Sequence, residues 1–109
     1  MKRIVVFGQA YKIKNTDKSQ NGFDSQVHSG LFCSETKTIY INSACNDKTQ
    51  VRALFHEIGH AIFSELGFVN TSISHDLEEI LVEAYAKVFQ NLLMQMAFTN
   101  EKVSSQNDK

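Results

Sequence analysis

The apolar residues between positions 51 and 66 recur with the spacing of one helix face, and this pattern constrains the fold more than any other feature. They are Val51, Leu54, Phe55, Ile58, Ile62 and Leu66. Asn46 or Asp47 suits the start of such a helix, and Gly67 suits its end. A second pattern of the same kind begins near Ser74, which is a suitable cap, and runs to about Phe98. The second half of the chain is therefore predicted to form two helices.

The first half of the chain has the residue pattern of β-strands. Residues 2–7 are rich in β-branched side chains, and residues 10–14 alternate apolar and polar. Residues 31–34 and 38–42 flank a three-residue connection, which predicts a hairpin. We expect an α+β fold in which a small antiparallel or mixed sheet, built from residues 1–45, packs against two helices. The first helix is expected to bury Val51, Phe55, Ile58 and Ile62 on that sheet. Residues 38–42 are either an edge strand that receives a peptide or plain sheet.

Length and composition indicate one folded domain. The chain has 109 residues, of which 42% are hydrophobic and 21% are charged. We assign residues 1–98 to the domain and expect the polar residues 99–109 to be a disordered tail. No apolar run approaches the roughly 18 residues of a membrane span. The apolar stretch near the N-terminus is also too short for a secretory signal.

Charge and cysteine content narrow the possible partners. With a net charge of −1, the chain lacks the excess of positive charge that is typical of nucleic-acid-binding proteins. Cys33 and Cys45 are too few for a disulfide framework and lack paired metal spacing. We therefore expect a cytoplasmic protein with reduced thiols that binds neither nucleic acid nor membrane directly. The oligomeric state is not predicted.

The sequence His56-Glu57-Ile58-Gly59-His60 is an HExxH motif, and it lies inside the first predicted helix. Residues four apart on a helix are neighbours, so the two imidazoles can bind one zinc ion. Glu57 lies next to the pair, where it can take a proton from a water molecule rather than bind the metal. The motif predicts His56 and His60 as zinc ligands and Glu57 as the catalytic base.

A catalytic zinc site of this kind needs a third protein ligand and one open position. The metzincin pattern is excluded because Phe63 and Leu66 occupy its glycine and histidine positions. The remaining candidates are His75, Glu78, Glu79 and Glu83, of which Glu79 and Glu83 share a helix face. Helical periodicity alone leaves the choice among them open.

The segments HEIGHAIFSELG and LEEILVEAYAKVFQNLL resemble the ImmA/IrrE-type metallopeptidases of phages and mobile elements, a gluzincin-like branch of the zincins. In that family the second helix carries ExxA(N/D)xF, whose glutamate completes the zinc site. The resemblance implies that Glu83 is the third ligand. Lys87 departs from the expected Asn or Asp, so supporting a ligand histidine must fall to another residue, such as Glu79, or to water.

The resemblance implies a zinc-dependent peptidase that hydrolyses a protein or peptide substrate, which in that family is often a DNA-binding repressor. Two alternatives stay open. One is a zinc-binding regulatory or structural domain that cleaves nothing. The other is an SprT-like protease with His75 as third ligand, although Asp76 does not match the His-Gly pattern of those enzymes. His75, Tyr40 and Tyr85 are the candidate donors to a reacting carbonyl oxygen.

Overall fold

The computed structural model describes residues 2–67 and 74–107, with side chains described up to residue 96 in the last helix. Its elements confirm the predicted α+β fold, with a mixed sheet of four strands and two helices. In chain order they are β1 (Lys2–Val6), β2 (Gln9–Thr16), β3 (Gly30–Cys33), β4 (Thr38–Asn42), α1 (Asp47–Glu65) and α2 (His75–Asn107).

The sheet has the strand order β1-β2-β4-β3. β4 pairs in parallel with β2 and antiparallel with β3, and β1 pairs antiparallel with β2. β4 is therefore an interior strand, and all five of its residues are buried. The idea that Thr38–Asn42 forms an edge strand is wrong, because the connection between β2 and β3 is long enough for β4 to enter between them. The edge strand on this side is β3.

Helix α1 begins and ends where the sequence predicts. The side chain of Asn46 accepts a hydrogen bond from the backbone N–H of Thr49 at 2.8 Å. Gly67 adopts φ +73°, a conformation in which glycine is favoured at helix ends.

The apolar residues of α1 pack against two different elements, the sheet and α2. Leu54 and Ile58 pack against the sheet residues Ile39 and Ile41. Phe55 instead contacts α2, where its ring centroid lies 6.0 Å from that of Phe89. The expectation that Phe55 packs on the sheet is wrong because α1 lies between the sheet and α2 and has a partner on each side.

Gly59, inside the HExxH motif, lies against Val82 and Tyr85 of α2. A Cβ atom at this position would lie 2.9 Å from Cγ1 of Val82, a fully buried residue of α2. Such a distance is shorter than real side-chain contacts allow. Glycine therefore brings α1 and α2 close enough for acidic side chains of α2 to reach the motif histidines.

Helix α2 starts at the predicted cap, since Oγ of Ser74 accepts a hydrogen bond from the N–H of Leu77 at 3.2 Å. It continues to Asn107 instead of ending near residue 98. Residues 99–107 contain neither glycine nor proline, so no local signal stops the helix. The division into a domain at 1–98 and a tail at 99–109 stays a prediction. Among the described residues, no helix combines the length and the apolar character that crossing a bilayer requires.

Candidate metal centre

The histidines of the HExxH motif lie on the side of α1 that faces α2. Nε2 of His56 and Nε2 of His60 are 3.3 Å apart, and both side chains are largely shielded from solvent. The spacing of four residues on one helix is what brings these two atoms together. The predicted pairing of the imidazoles is thus present in the structure.

The carboxylate of Glu79 meets these two nitrogens from α2. Its Oε1 lies 2.9 Å from Nε2 of His60, and its Oε2 lies 3.4 Å from Nε2 of His56. His56, His60 and Glu79 form a group whose ligand atoms all lie within 4.8 Å of one another. Two imidazole nitrogens and one carboxylate therefore converge on one point between the helices.

The spacing of these atoms fits a bound cation. Two ligand atoms that are each about 2.1 Å from a tetrahedral ion are about 3.4 Å from each other. The separations of 3.3 Å between the two nitrogens and 3.4 Å between His56 and Glu79 match that distance. The separation of 2.9 Å between His60 and Glu79 is somewhat shorter. Two nitrogens and one oxygen are also a donor set that zinc accepts.

The opposite nitrogen of each imidazole contacts a further carboxylate of α2. Nδ1 of His56 lies 2.7 Å from Oε2 of Glu83, and Nδ1 of His60 lies 2.6 Å from Oε2 of Glu78. A carboxylate accepts a hydrogen bond from the N–H at Nδ1, which leaves the lone pair of Nε2 available to a metal. Glu78 and Glu83 thus orient both imidazoles for metal binding.

Glu83 is also held by Arg52 of α1. The guanidinium contacts Oε1 of Glu83 through Nη2 at 2.7 Å and through Nε at 3.0 Å. Burial raises the pKa of Glu83, but the hydrogen bond from His56 and the charge of Arg52 outweigh it, so the net shift is downward. The structure places this carboxylate at Nδ1 of His56, away from the point where the three ligand atoms converge. Glu83 as a metal ligand stays a prediction, and the geometry favours Glu79.

Glu57 is buried between α1 and β3, beside the converging ligand atoms. Burial raises the pKa of its carboxyl group to about 7, although the charge of His56 and a hydrogen bond to the backbone of Phe32 act in the opposite direction. A Cβ atom on Gly30 would lie 3.2 Å from Cγ of Glu57, so glycine at the start of β3 leaves room for this side chain. A group with a pKa near neutrality can both accept and return a proton.

Two recesses open on either side of His56 and Glu57, and Gly30 lines both. His75 lines the recess that also contains Leu31 and Phe32. It is exposed and does not belong to the group of converging ligand atoms. The sequence-based idea of His75 as a ligand therefore receives no support from the geometry.

Of the other proposed donors, neither tyrosine lines these recesses. The hydroxyl of Tyr40 accepts a hydrogen bond from the side chain of Asn21, and Tyr85 packs against Phe89. His28, for which the sequence shows no partner, lines the other recess, the one without His75, together with Glu57. It is separated from the motif by 28 residues in sequence, and no local pattern marks it.

Comparison with known protein families gives one match. The model of Peptidase_M78, the IrrE N-terminal-like domain, matches residues 8–106. The matched stretch contains the whole of α1 and all three glutamates of α2 that contact the histidines. Neither the curated proteins nor the solved structures gave a match for the chain.

Proposed function

Because this chain belongs to the Peptidase_M78 family of IrrE N-terminal-like domains, as the resemblance of its motifs predicts, we propose that it is a zinc metallopeptidase that hydrolyses peptide bonds. Family membership indicates a peptidase and a metal in general terms. The specific proposal rests on one observation, the convergence of His56, His60 and Glu79 beside the buried carboxyl group of Glu57.

The proposed ligands are the Nε2 atoms of both histidines and the carboxylate of Glu79. This assignment replaces Glu83, whose carboxylate bonds Nδ1 of His56 and Arg52 instead. Glu78 and Glu83 then keep the imidazoles in the tautomer and orientation that a metal needs. Zinc bound by this set supplies a Lewis acid that polarises a carbonyl group and lowers the pKa of a water molecule toward about 7.

Glu57 is the proposed proton carrier. Its carboxylate takes a proton from the attacking water and then gives that proton to the nitrogen of the leaving amine. The burial that raises its pKa to about 7 suits both transfers, since the group can change its protonation state near neutral pH. The hydrogen bond to the backbone of Phe32 ties this side chain to β3.

The substrate we propose is an extended segment of a protein or peptide. β3 pairs with β4 on one side only, so its other edge has no strand partner within the described sheet. Residues of β3 line the two recesses next to Glu57. A peptide that adds to this edge as a further strand would carry its backbone past Glu57. The family resemblance suggests a DNA-binding regulator as the substrate protein.

The geometry favours an enzyme over a zinc site that only stabilises the fold. A structural zinc site is usually closed by four protein ligands. In the described part of the chain, three ligand atoms converge and the recesses reach them from both sides. The fourth position is thus left to a water molecule or a substrate.

Replacing Glu57 by glutamine tests the proposal. The wild-type chain, the Glu57→Gln variant and a control, Glu35→Gln at the exposed β3–β4 turn, are loaded with zinc and incubated with a library of peptides from digested cell protein. We expect one zinc per chain in all three. Mass spectrometry should find new peptide ends with wild type and Glu35→Gln, and none with Glu57→Gln. Cleavage by Glu57→Gln at the wild-type rate, or no cleavage by wild type, would contradict the proposal.

A further inference from the structure

The recess next to His56 on the side of the β2–β3 connection differs in chemistry from the recess on the other side. It has a volume of about 290 Å³. Four residues of its lining have side chains that can donate a hydrogen bond: His28, Ser29, Thr49 and Arg52. The carboxylates of Glu57 and Glu83 and the apolar residues Val27 and Ala53 line it as well. The opposite recess is lined by Leu31, Phe32, His60, His75 and Glu79 besides the residues that both share, so it has neither a hydroxyl group nor a guanidinium group.

His28 is held in one orientation by its own loop. Its Nδ1 accepts a hydrogen bond from the backbone N–H of Asp24 at 2.9 Å, and its ring lies 6.0 Å from that of Phe23. The side chain of Asn42, at the end of β4, donates to the backbone oxygens of Ser25 and His28 and anchors the loop to the sheet. Because Nδ1 accepts, the proton of the neutral ring is on Nε2, which is then a hydrogen-bond donor.

Arg52 provides the positive charge of the recess. Its Nε and Nη2 atoms contact Glu83, and this leaves Nη1 without a partner among the described residues. The side chain is about half exposed, so a ligand in the recess can reach it. The backbone N–H of Thr49 donates to Oδ1 of Asn46, the N-cap of α1, while the hydroxyl of Thr49 forms no hydrogen bond within the described part of the chain.

The carboxylate of Glu83 is already engaged. Both oxygens of Glu83 are bonded, one to Arg52 and the other to His56. Glu57 also lines the recess, bonds the backbone of Phe32 and, as the proposed proton carrier, faces the attacking water. Glu83 balances the charge of Arg52, but the free donors of Arg52, His28, Ser29 and Thr49 outnumber the free acceptors of the recess. A group that only accepts hydrogen bonds uses these donors best, which favours a carboxylate over an amide or an ammonium group.

We propose that this recess binds an acidic side chain, Asp or Glu, of the peptide substrate, with Arg52 and His28 as the residues that select it. This inference rests on the proposed function, because it places the acidic residue close to the bond that is cut. Arg52 then has two contacts, one with Glu83 and one with the substrate carboxylate.

Short peptides that carry a hydroxamate test this proposal, since a hydroxamate binds zinc whatever its neighbours are. The hydroxamate is placed at the C-terminal end in one series and at the N-terminal end in a second, so that both sides of the metal are sampled. Glu, Gln or Ala occupies each of the three positions nearest to it. Isothermal titration calorimetry measures the affinity of each peptide for the zinc-loaded chain.

At one position we expect the Glu peptide to bind about tenfold more tightly than the Gln peptide, the gain of a charge-assisted over a neutral hydrogen bond. Arg52→Gln and His28→Asn should each reduce this ratio toward one. The Ala peptide is the control, because its affinity reports on the zinc centre alone. A loss of affinity for all peptides alike in Arg52→Gln would mean that Arg52 acts only through Glu83, and would overturn the assignment.

Two further results are distinguishable. If every peptide binds wild type but Glu and Gln are equal at all positions, the acidic subsite is refuted and the metal centre stands. If no hydroxamate binds the zinc-loaded chain, the proposed function fails, and the subsite fails with it.

Discussion

Glu83 bonds the nitrogen of His56 that faces away from Glu79. Its Oε2 lies 2.7 Å from Nδ1 of that ring, while Glu79 lies 3.4 Å from Nε2. The two glutamates are one helical turn apart on α2, so they reach opposite edges of the same imidazole. This relationship assigns different tasks to two residues that have the same side chain.

Substitution of these two glutamates should separate the tasks. Glu79→Gln removes a charged ligand and should abolish tight zinc binding, whereas Glu83→Gln should weaken it by about 10–100-fold, the usual cost of losing a partner of a ligand histidine. Competition with a chromogenic chelator measures both affinities. The reverse order, with Glu83→Gln the more severe, would restore Glu83 as the ligand.

Gly59→Ala should destabilise the fold, although alanine is normally the better helix former by about 1 kcal/mol. The added Cβ would lie 2.9 Å from Cγ1 of Val82, and overpacking of this kind costs about 1–3 kcal/mol. Urea unfolding followed by circular dichroism gives the free energy of unfolding. The double variant Gly59→Ala/Val82→Ala is the control: if the clash is the cause, Gly59→Ala should cost less in the Val82→Ala background than in wild type.

The cluster of Tyr11, Lys37 and Glu65 should make stability depend on pH. Nζ of Lys37 lies 2.8 Å from Glu65, the hydroxyl of Tyr11 donates to the same carboxylate, and these contacts lower the pKa of Glu65. A lowered pKa in the folded state stabilises the fold above the unfolded-state pKa of about 4.3, and this contribution is lost as the pH falls through the folded-state value.

Glu65→Gln should therefore be less stable than wild type near neutral pH, and the difference should shrink in acid. Urea unfolding at several pH values provides the measurement. Glu35→Gln, at the exposed turn between β3 and β4, is the control and should follow wild type throughout. A difference between Glu65→Gln and wild type that stays constant over the whole range would refute this account of the cluster.

Much of the fold follows from local patterns. The strands, the caps at Asn46 and Ser74, and the end of α1 at Gly67 depend on residues adjacent in sequence, and the structure has them where they are expected. The position of β4 inside the sheet depends on pairing between distant segments, which the pattern of Thr38–Asn42 alone does not contain.

The same limit applies to the candidate metal centre: features within one helix were predictable, and contacts between distant segments were not. The spacing of His56 and His60 predicts their convergence because both lie on one helix. The choice between Glu79 and Glu83 depends on how α2 is rotated against α1, and that rotation follows from contacts between residues far apart in sequence, such as Gly59 with Val82. His28 lies in the β2–β3 connection and lines the recess beside Glu57. A connection of this kind has no periodic residue pattern, so the sequence does not predict where it runs.

The most direct test of the central claim is an anomalous-difference map, recorded at the zinc absorption edge from crystals of the zinc-loaded chain. We predict one strong peak about 2.1 Å from Nε2 of His56 and from Nε2 of His60, with a carboxylate oxygen of Glu79 at a similar distance. Glu83 should remain at Nδ1 of His56. A peak bound by Glu83 in place of Glu79, or no peak between the two histidines, would contradict the account.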